Sequence, residues 1–108
     1  MCELLGIAAA APVTARFSLQ RLARHGRVAG DPIDGWGVVL HDGRDARCYR
    51  EPEPARRSAW LRFVERHQSP ASILISHIRL ATAGTVALRN THPFVRELGG
   101  RMHSFAHS

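Results

Sequence analysis

Lysine is absent from this chain: all fifteen basic residues are arginine, spread from Arg16 to Arg101. Aromatic residues are scarce, at 6%. A face for single-stranded nucleic acid interleaves cations with stacking rings, and other nucleic-acid surfaces gather their cations into a patch or stripe. Scattered arginines with few rings fit neither pattern. The formal net charge of +6 therefore reads as a solvated arginine-rich surface, and nucleic acid is not an expected partner. Cysteine is also sparse, with Cys2 and Cys48 alone. One of them sits at the extreme terminus, where a disulfide would staple little, so both thiols are expected free in a reducing cytoplasm. No apolar run approaches the roughly 20 residues that span a bilayer. Glu3 and Pro12 interrupt the opening that a signal peptide would need. His103 and His107 share a strand face from which they could reach Cys2, but no compact ligand spacing supports a zinc site. Neither a metal nor another cofactor is expected.

What is present suits one soluble domain. The chain has 108 residues, 44% hydrophobic and 22% charged, enough for a modest core. Glu3 to Ala11 is mostly apolar and reads as a buried strand. Thr14 can cap a helix to about His25, ended by Gly26, and a loop follows to Gly35. Trp36–Leu40 and Ala46–Arg50 read as strands joined by the turn His41-Asp42-Gly43-Arg44. Glu51 to Pro54 is a linker. Ala55 to His67 reads as a helix with Trp60, Phe63, Val64 and His67 on one face, the first two as core, and with Arg56 and Arg57 as a solvated start. Ser72 to Ile78 reads as a central strand, Arg79 to Gly100 as long and irregular, and Arg101 to His107 as a last strand. Adjacent strands near the middle predict antiparallel pairing and an α+β fold. Cys48 is expected to be a buried small apolar residue and His77 a hydrogen-bonded strand histidine.

Chemistry gathers first at the amino terminus. Terminal residues usually fray, so a thiol at position two is badly placed for packing. Removal of Met1 would leave Cys2 with a free amine on the same residue. Such an amine has a pKa of about 7.7–8.0 and can accept the thiol proton directly or through one water. The apolar strand that follows would anchor the terminus.

A second cluster is Ser76-His77-Ile78-Arg79-Leu80-Ala81-Thr82-Ala83-Gly84. An arginine leaving a buried strand can fork onto a carboxylate, with Thr82 and the amides around Gly84 as further donors; the alternative for Arg79 is a structural ion pair. A third cluster, Asn90-Thr91-His92-Pro93-Phe94, reads as a rigid turn.

With the Met-Cys start, Asp34-Gly35-Trp36-Gly37, the His-x-Arg-x-Ala-Thr-x-Gly run at 77–84, Asn90-x-His92-Pro93-Phe94 and the ending Phe105-Ala106-His107, the chain resembles the class II glutamine amidotransferases, which are amino-terminal nucleophile hydrolases. The likeness is nearest to their small stand-alone bacterial branch, without a synthase domain, and it spans the chain in the expected order. It implies an αββα sandwich with antiparallel sheets, of which residues 1–108 would be the first half, a partial domain. It implies glutamine hydrolysis through a Cys2 thioester, or hydrolysis of another γ-glutamyl amide. Arg79 would hold the substrate α-carboxylate with Thr82 and Gly84 beside it, His92 would support its loop, and Trp36 would pack near the nucleophile. His107 and Ser108 approach the family's His-Asn-Gly segment, with Ser108 at the oxyanion-binding Asn position. Losing one such donor typically costs about a hundred- to a thousandfold in rate. A poorly stable chain with little glutaminase activity is the expectation, with a non-catalytic remnant or interaction module as the rival reading. The ammonia acceptor, the oligomeric state and any synthase partner are not given by the sequence.

Overall fold

The computed structural model describes residues 2–16, 21, 34–80 and 83–108. Six strands and one α-helix are laid out in them: β1 (Glu3–Val13), β2 (Gly35–Asp42), β3 (Asp45–Glu51), α1 (Ala59–His67), β4 (Ala71–Arg79), β5 (Phe94–Leu98) and β6 (Arg101–Phe105). The helix and loop expected between Thr14 and Ile33 fall largely outside the described residues.

All pairing is antiparallel. One sheet has the order β1-β4-β2-β3, so the Ile-rich β4 is central, as expected. The expected turn between β2 and β3 tightens to two residues, because Asp42 still pairs with Asp45. Gly43 takes the first turn position with φ of 59°, a conformation that lets a two-residue hairpin follow strand twist.

The stretch expected to be irregular up to Gly100 contains β5. It pairs with β6 from Phe94–Phe105 down to Leu98–Arg101. Gly99 and Gly100 both have positive φ (61° and 76°), which is what a tight hairpin turn of this kind demands and β-carbon-bearing residues resist. The last strand accordingly ends at Phe105 rather than His107.

Period-two alternation sorts the four-stranded sheet into two faces. One face carries Leu74, Ile78, Trp36, Val38 and Leu40, which cluster with Leu61 of α1 and with Ala15, Ala55 and Ala71. Ser58 caps α1 by accepting from Leu61 N at 2.9 Å. Its hydroxyl donates to Glu51, which also accepts from Trp36 Nε1 at 3.0 Å. The cap fixes where α1 starts and hence which side meets the sheet. Leu61 and Val64 are buried, whereas Trp60 and Phe63 are 59% and 52% exposed. The expected assignment of those two aromatics to the core is therefore corrected: they meet edge-to-face outside, at 6.1 Å. A short 3-10 turn at Ala55–Arg57 precedes the cap, so the helix is shorter than expected.

The opposite face meets the segment from Thr91 to His107. Arg50 donates to Thr91 O at 2.8 Å, the Cys48 thiol lies 3.8 Å from Pro93 O, and His41 meets Ser104 at 2.7 Å. Met102 N donates to Arg44 O at 2.7 Å. These contacts lie over β2 and β3. The β1 part of this face stays open: Leu4 is 46% exposed and Ile73 of β4 is 47% exposed. The expectation of a buried β1 is corrected: half-buried and exposed residues alternate along it as far as Ala10, and none is fully buried.

Candidate active site

Antiparallel pairing carries three distant pieces of chain to one end of the sheet. Glu3 pairs with Ile78 and Gly35 with Arg79, so Cys2, Arg79 and Asp34 converge there. Asp34 N donates to Arg79 O at 3.0 Å. The Cys2 thiol sits against the peptide of Leu80: Leu80 N donates to the sulfur at 3.4 Å and the sulfur lies 3.7 Å from Leu80 O. The terminus is thus anchored, as an attacking atom requires.

A cleft of about 470 Å³ opens beside the thiol. It is lined by Cys2, His77, Arg79, Gly84, His92 and His107, together with Leu80, Ala83, Asn90 and Phe94. Five sequence-derived candidates thus share one cavity. Thr82 lies outside the described residues. Ser108 is exposed and does not line the cleft. His103 is remote from it, its ring facing Arg101 O at 3.1 Å. Among the described residues, no group of three His, Cys, Asp or Glu side chains converges to hold a metal ion.

Arg79 is 6% exposed, and its guanidinium donates to Thr85 O at 3.0 Å and Ala83 O at 3.1 Å. The loop carbonyls thereby aim it along the cleft floor. Gly84 runs past this guanidinium with φ of 79°, and a β-carbon there would lie 3.6 Å from Arg79 Nη2. Asn90 closes the loop by donating to Thr85 O at 2.9 Å.

The glycines of Asp34-Gly35-Trp36-Gly37 serve close packing. A β-carbon on Gly37 would come within 2.0 Å of His92 O and 2.7 Å of Pro93 Cδ. Only a bare backbone lets the His92–Pro93 peptide, which is cis, lie on β2. Trp36, 1% exposed, packs rather than lining the cleft.

Sequence reasoning missed the histidine stack at the cleft wall. His77 and His92 lie face to face at 4.8 Å, and His92 meets His107 edge-on at 4.7 Å. His77 is 1% exposed; its Nε2 lies 3.0 Å from His107 O, while its buried Nδ1 has no partner. Burial, followed by the His92 charge, lowers its pKa to about 4. His92 is lowered too, by burial first and then by His107, Arg79 and Arg50. The available signal was spacing: His77 is two residues from Arg79 on a strand, hence at the same end and on the same face of the sheet.

Both cysteines are free. Burial raises the Cys48 pKa, only partly offset by Arg50, as for a packing thiol away from the cleft. Among the described residues, no helix is long and apolar enough to cross a membrane.

Comparison with known proteins agrees with this geometry. YafJ of Escherichia coli (strain K12), whose name assigns it provisionally to the glutamine amidotransferases, is 40% identical over 108 residues. The match takes in 100% of this chain and 42% of that protein. A protein of Haemophilus influenzae with the same provisional assignment is 34% identical, over 100% of this chain and 37% of its own length. The chain therefore spans about two-fifths of the length of these relatives. A crystal structure of a predicted glutamine amidotransferase from Pseudomonas aeruginosa PA01 aligns with a TM-score of 0.59 and 33% identity, covering 99% of this chain and 42% of that one. The family model for class-II glutamine amidotransferases matches residues 1–108. With the thiol, the buried arginine and the glycine-packed turn found together at one end of the sheet, the chain belongs to the class II glutamine amidotransferases.

Proposed function

We propose that this chain is the nucleophile-bearing, partial domain of an amidohydrolase that releases ammonia from the side-chain amide of glutamine. The observation that carries this reading is the shared cleft: the Cys2 thiol and the buried Arg79 guanidinium line one cavity of a size suited to an amino acid.

After removal of Met1, the Cys2 amine accepts the thiol proton and the sulfur attacks the amide carbon, forming a C–S bond and an oxyanion. The proton passes to the nitrogen, the C–N bond breaks and ammonia leaves. Water then adds to the thioester, the C–S bond breaks, and glutamate and the thiol are restored. Arg79 has five N–H donors; those not given to Ala83 O and Thr85 O receive the substrate α-carboxylate. Thr82 and the Gly84 amide assist from the same loop. His92 supports the segment that leads to His107 and Ser108. Ser108 stands where the family places its oxyanion-binding Asn but does not line the cleft, so slow turnover is expected of this chain. The substrate class extends to γ-glutamyl amides, which present the same amide and carboxylate. Free thiols suit a reducing cytoplasm.

The test uses the purified 108-residue chain and a diazo-ketone analogue of glutamine. Intact-mass measurement should show Met1 absent, and peptide mapping should place the label on Cys2 and not on Cys48. Cys2→Ala should remove both label and ammonia release. A retained Met1, or labelling that persists in Cys2→Ala, sinks the reading. An intact site that labels without any turnover would favour the non-catalytic remnant.

A further inference from the structure

We propose that His77 and His92 are positioning residues that clamp the backbone of His107, one at its C=O and the other at its N–H, fixing the Ala106–Ser108 segment at the mouth of the Cys2 cleft, and that protonation of His92 opens the clamp. The functional half of this proposal rests on the glutamine-hydrolysis reading above; the clamp itself does not.

The hydrogen bonds dictate the protonation states. His107 N is a donor 3.1 Å from His92 Nδ1, so that nitrogen must carry a lone pair and His92 must hold its proton on Nε2. His107 O is an acceptor 3.0 Å from His77 Nε2, so His77 must hold its proton there. The two rings stack, and His107 closes edge-on against His92, so the N–H and the C=O of one residue, in consecutive peptide groups, are gripped by two neutral imidazoles. Two residues before it lies Phe105, the end of β6, and directly after it Ser108, the position where the family places its oxyanion donor.

A proton added to His92 Nδ1 would face the His107 N–H, turning an acceptor into a second donor. The surroundings oppose that proton. Arg79 from β4 and Arg50 from β3 are cations, and the His107 ring follows β6. Phe94 and Phe105, at 4.5 and 6.2 Å, bring apolar surface from β5 and β6. From the β1 end, the Cys2 thiol lines the same cleft. His77 is held neutral by burial and by the same histidines and Arg79. The clamp is thus closed at neutral pH and opens at the His92 end as the solution is acidified below the usual histidine range.

Histidine-ring nitrogen spectra and amide exchange on the ¹⁵N-labelled chain test this without any turnover. Both rings should carry their neutral-form proton on Nε2. The His107 amide should exchange at least tenfold more slowly than an unstructured peptide at pH 7, and should lose that protection, relative to Ser104 in β6, as His92 titrates. Two variants separate the acceptor from the ring. His92→Asn places an acceptor oxygen near Nδ1 that does not titrate and should keep protection down to pH 5. His92→Phe keeps a ring without an acceptor and should lose protection at every pH. If the clamp serves the site, His92→Phe should also cut the diazo-ketone labelling rate of Cys2 about tenfold while leaving its rate with iodoacetamide unchanged. Nδ1 protonation in neutral His92, or an unprotected His107 amide in the unaltered chain, overturns the clamp whatever Cys2 does. Unchanged diazo-ketone labelling in His92→Phe overturns its service to the site. Absence of labelling in the unaltered chain, with His107 protected, refutes the functional reading and leaves the clamp standing.

Discussion

Gly37 has no room for even a methyl group, since its β-carbon would meet His92 O at 2.0 Å. Gly6, in the same sheet, has nothing within 4 Å. Gly37→Ala should therefore destabilise the chain by about 1–3 kcal/mol or more, while Gly6→Ala should stay within about 0.5 kcal/mol; urea melts of the pair give the comparison. His77 sets a second residue-scale expectation. Its folded pKa of about 4 lies below the unfolded 6.5, so between those values the unfolded chain binds the extra proton. Stability should rise with pH from 4 to 6.5 and then level. The contribution is about 3 kcal/mol, from roughly 1.4 kcal/mol per pKa unit. His77→Gln retains an N–H for His107 O and has no proton to gain, so thermal melts across that range should show a shallower slope. At this scale the sequence was readable where chemistry is local. Cys2, Arg79 and Gly84 announced themselves by type and position, His92 and His107 did so through the family resemblance, and the cleft gathers all five. Leu80, Asn90 and Phe94 did not, because their share in the wall depends on how strands and loops meet in space. The same applies to the pairing of His77 with His107.

Helix α1 shows how a cap decides an orientation. Ser58 holds Leu61 N, and Leu61 and Val64 then fall toward the sheet. Leu61→Ala should cost about 2–5 kcal/mol and Ser58→Ala about 0.5–2 kcal/mol. Phe63→Ala, at a half-exposed ring, should cost less than Leu61→Ala, and denaturant titration ranks the three. Apolar periodicity revealed the helix but not its rotation: Trp60, Phe63, Val64 and His67 make as good a stripe on paper as Leu61 and Val64 do in the fold. The β5–β6 hairpin was hidden for another reason. Arg96 and Glu97 interrupt the apolar alternation of β5, so only Gly99-Gly100 between two short runs signalled it. The longer strands were legible in type and place from their apolar runs and the turn between β2 and β3, though each extends one or two residues past its expected bounds.

At the scale of the molecule, the two sheet faces are unequally covered. Helix α1 and its neighbours seal one, and the Thr91–His107 segment covers part of the other. Leu4 and Ile73 remain open to solvent on the uncovered part. Exposed apolar side chains on one uncovered sheet face favour association. The 108-residue chain should bind a hydrophobic fluorescent dye in its native state and sediment with a concentration-dependent mass. The double substitution Leu4→Gln with Ile73→Thr should reduce both signals. A cooperatively melting monomer with no dye signal would count against an open face.

The strand order β1-β4-β2-β3 also sets a timetable. Glu3 pairs with Ile78, about 75 residues further along. During translation, at about 5–20 residues per second, β1 is made roughly 4–15 s before its partner. Throughout that interval the peptide of Leu80 does not yet exist to cover Cys2. An aminopeptidase working at the tunnel exit meets a bare terminus, whereas the Cys2 thiol lies against the Leu80 peptide once β4 arrives.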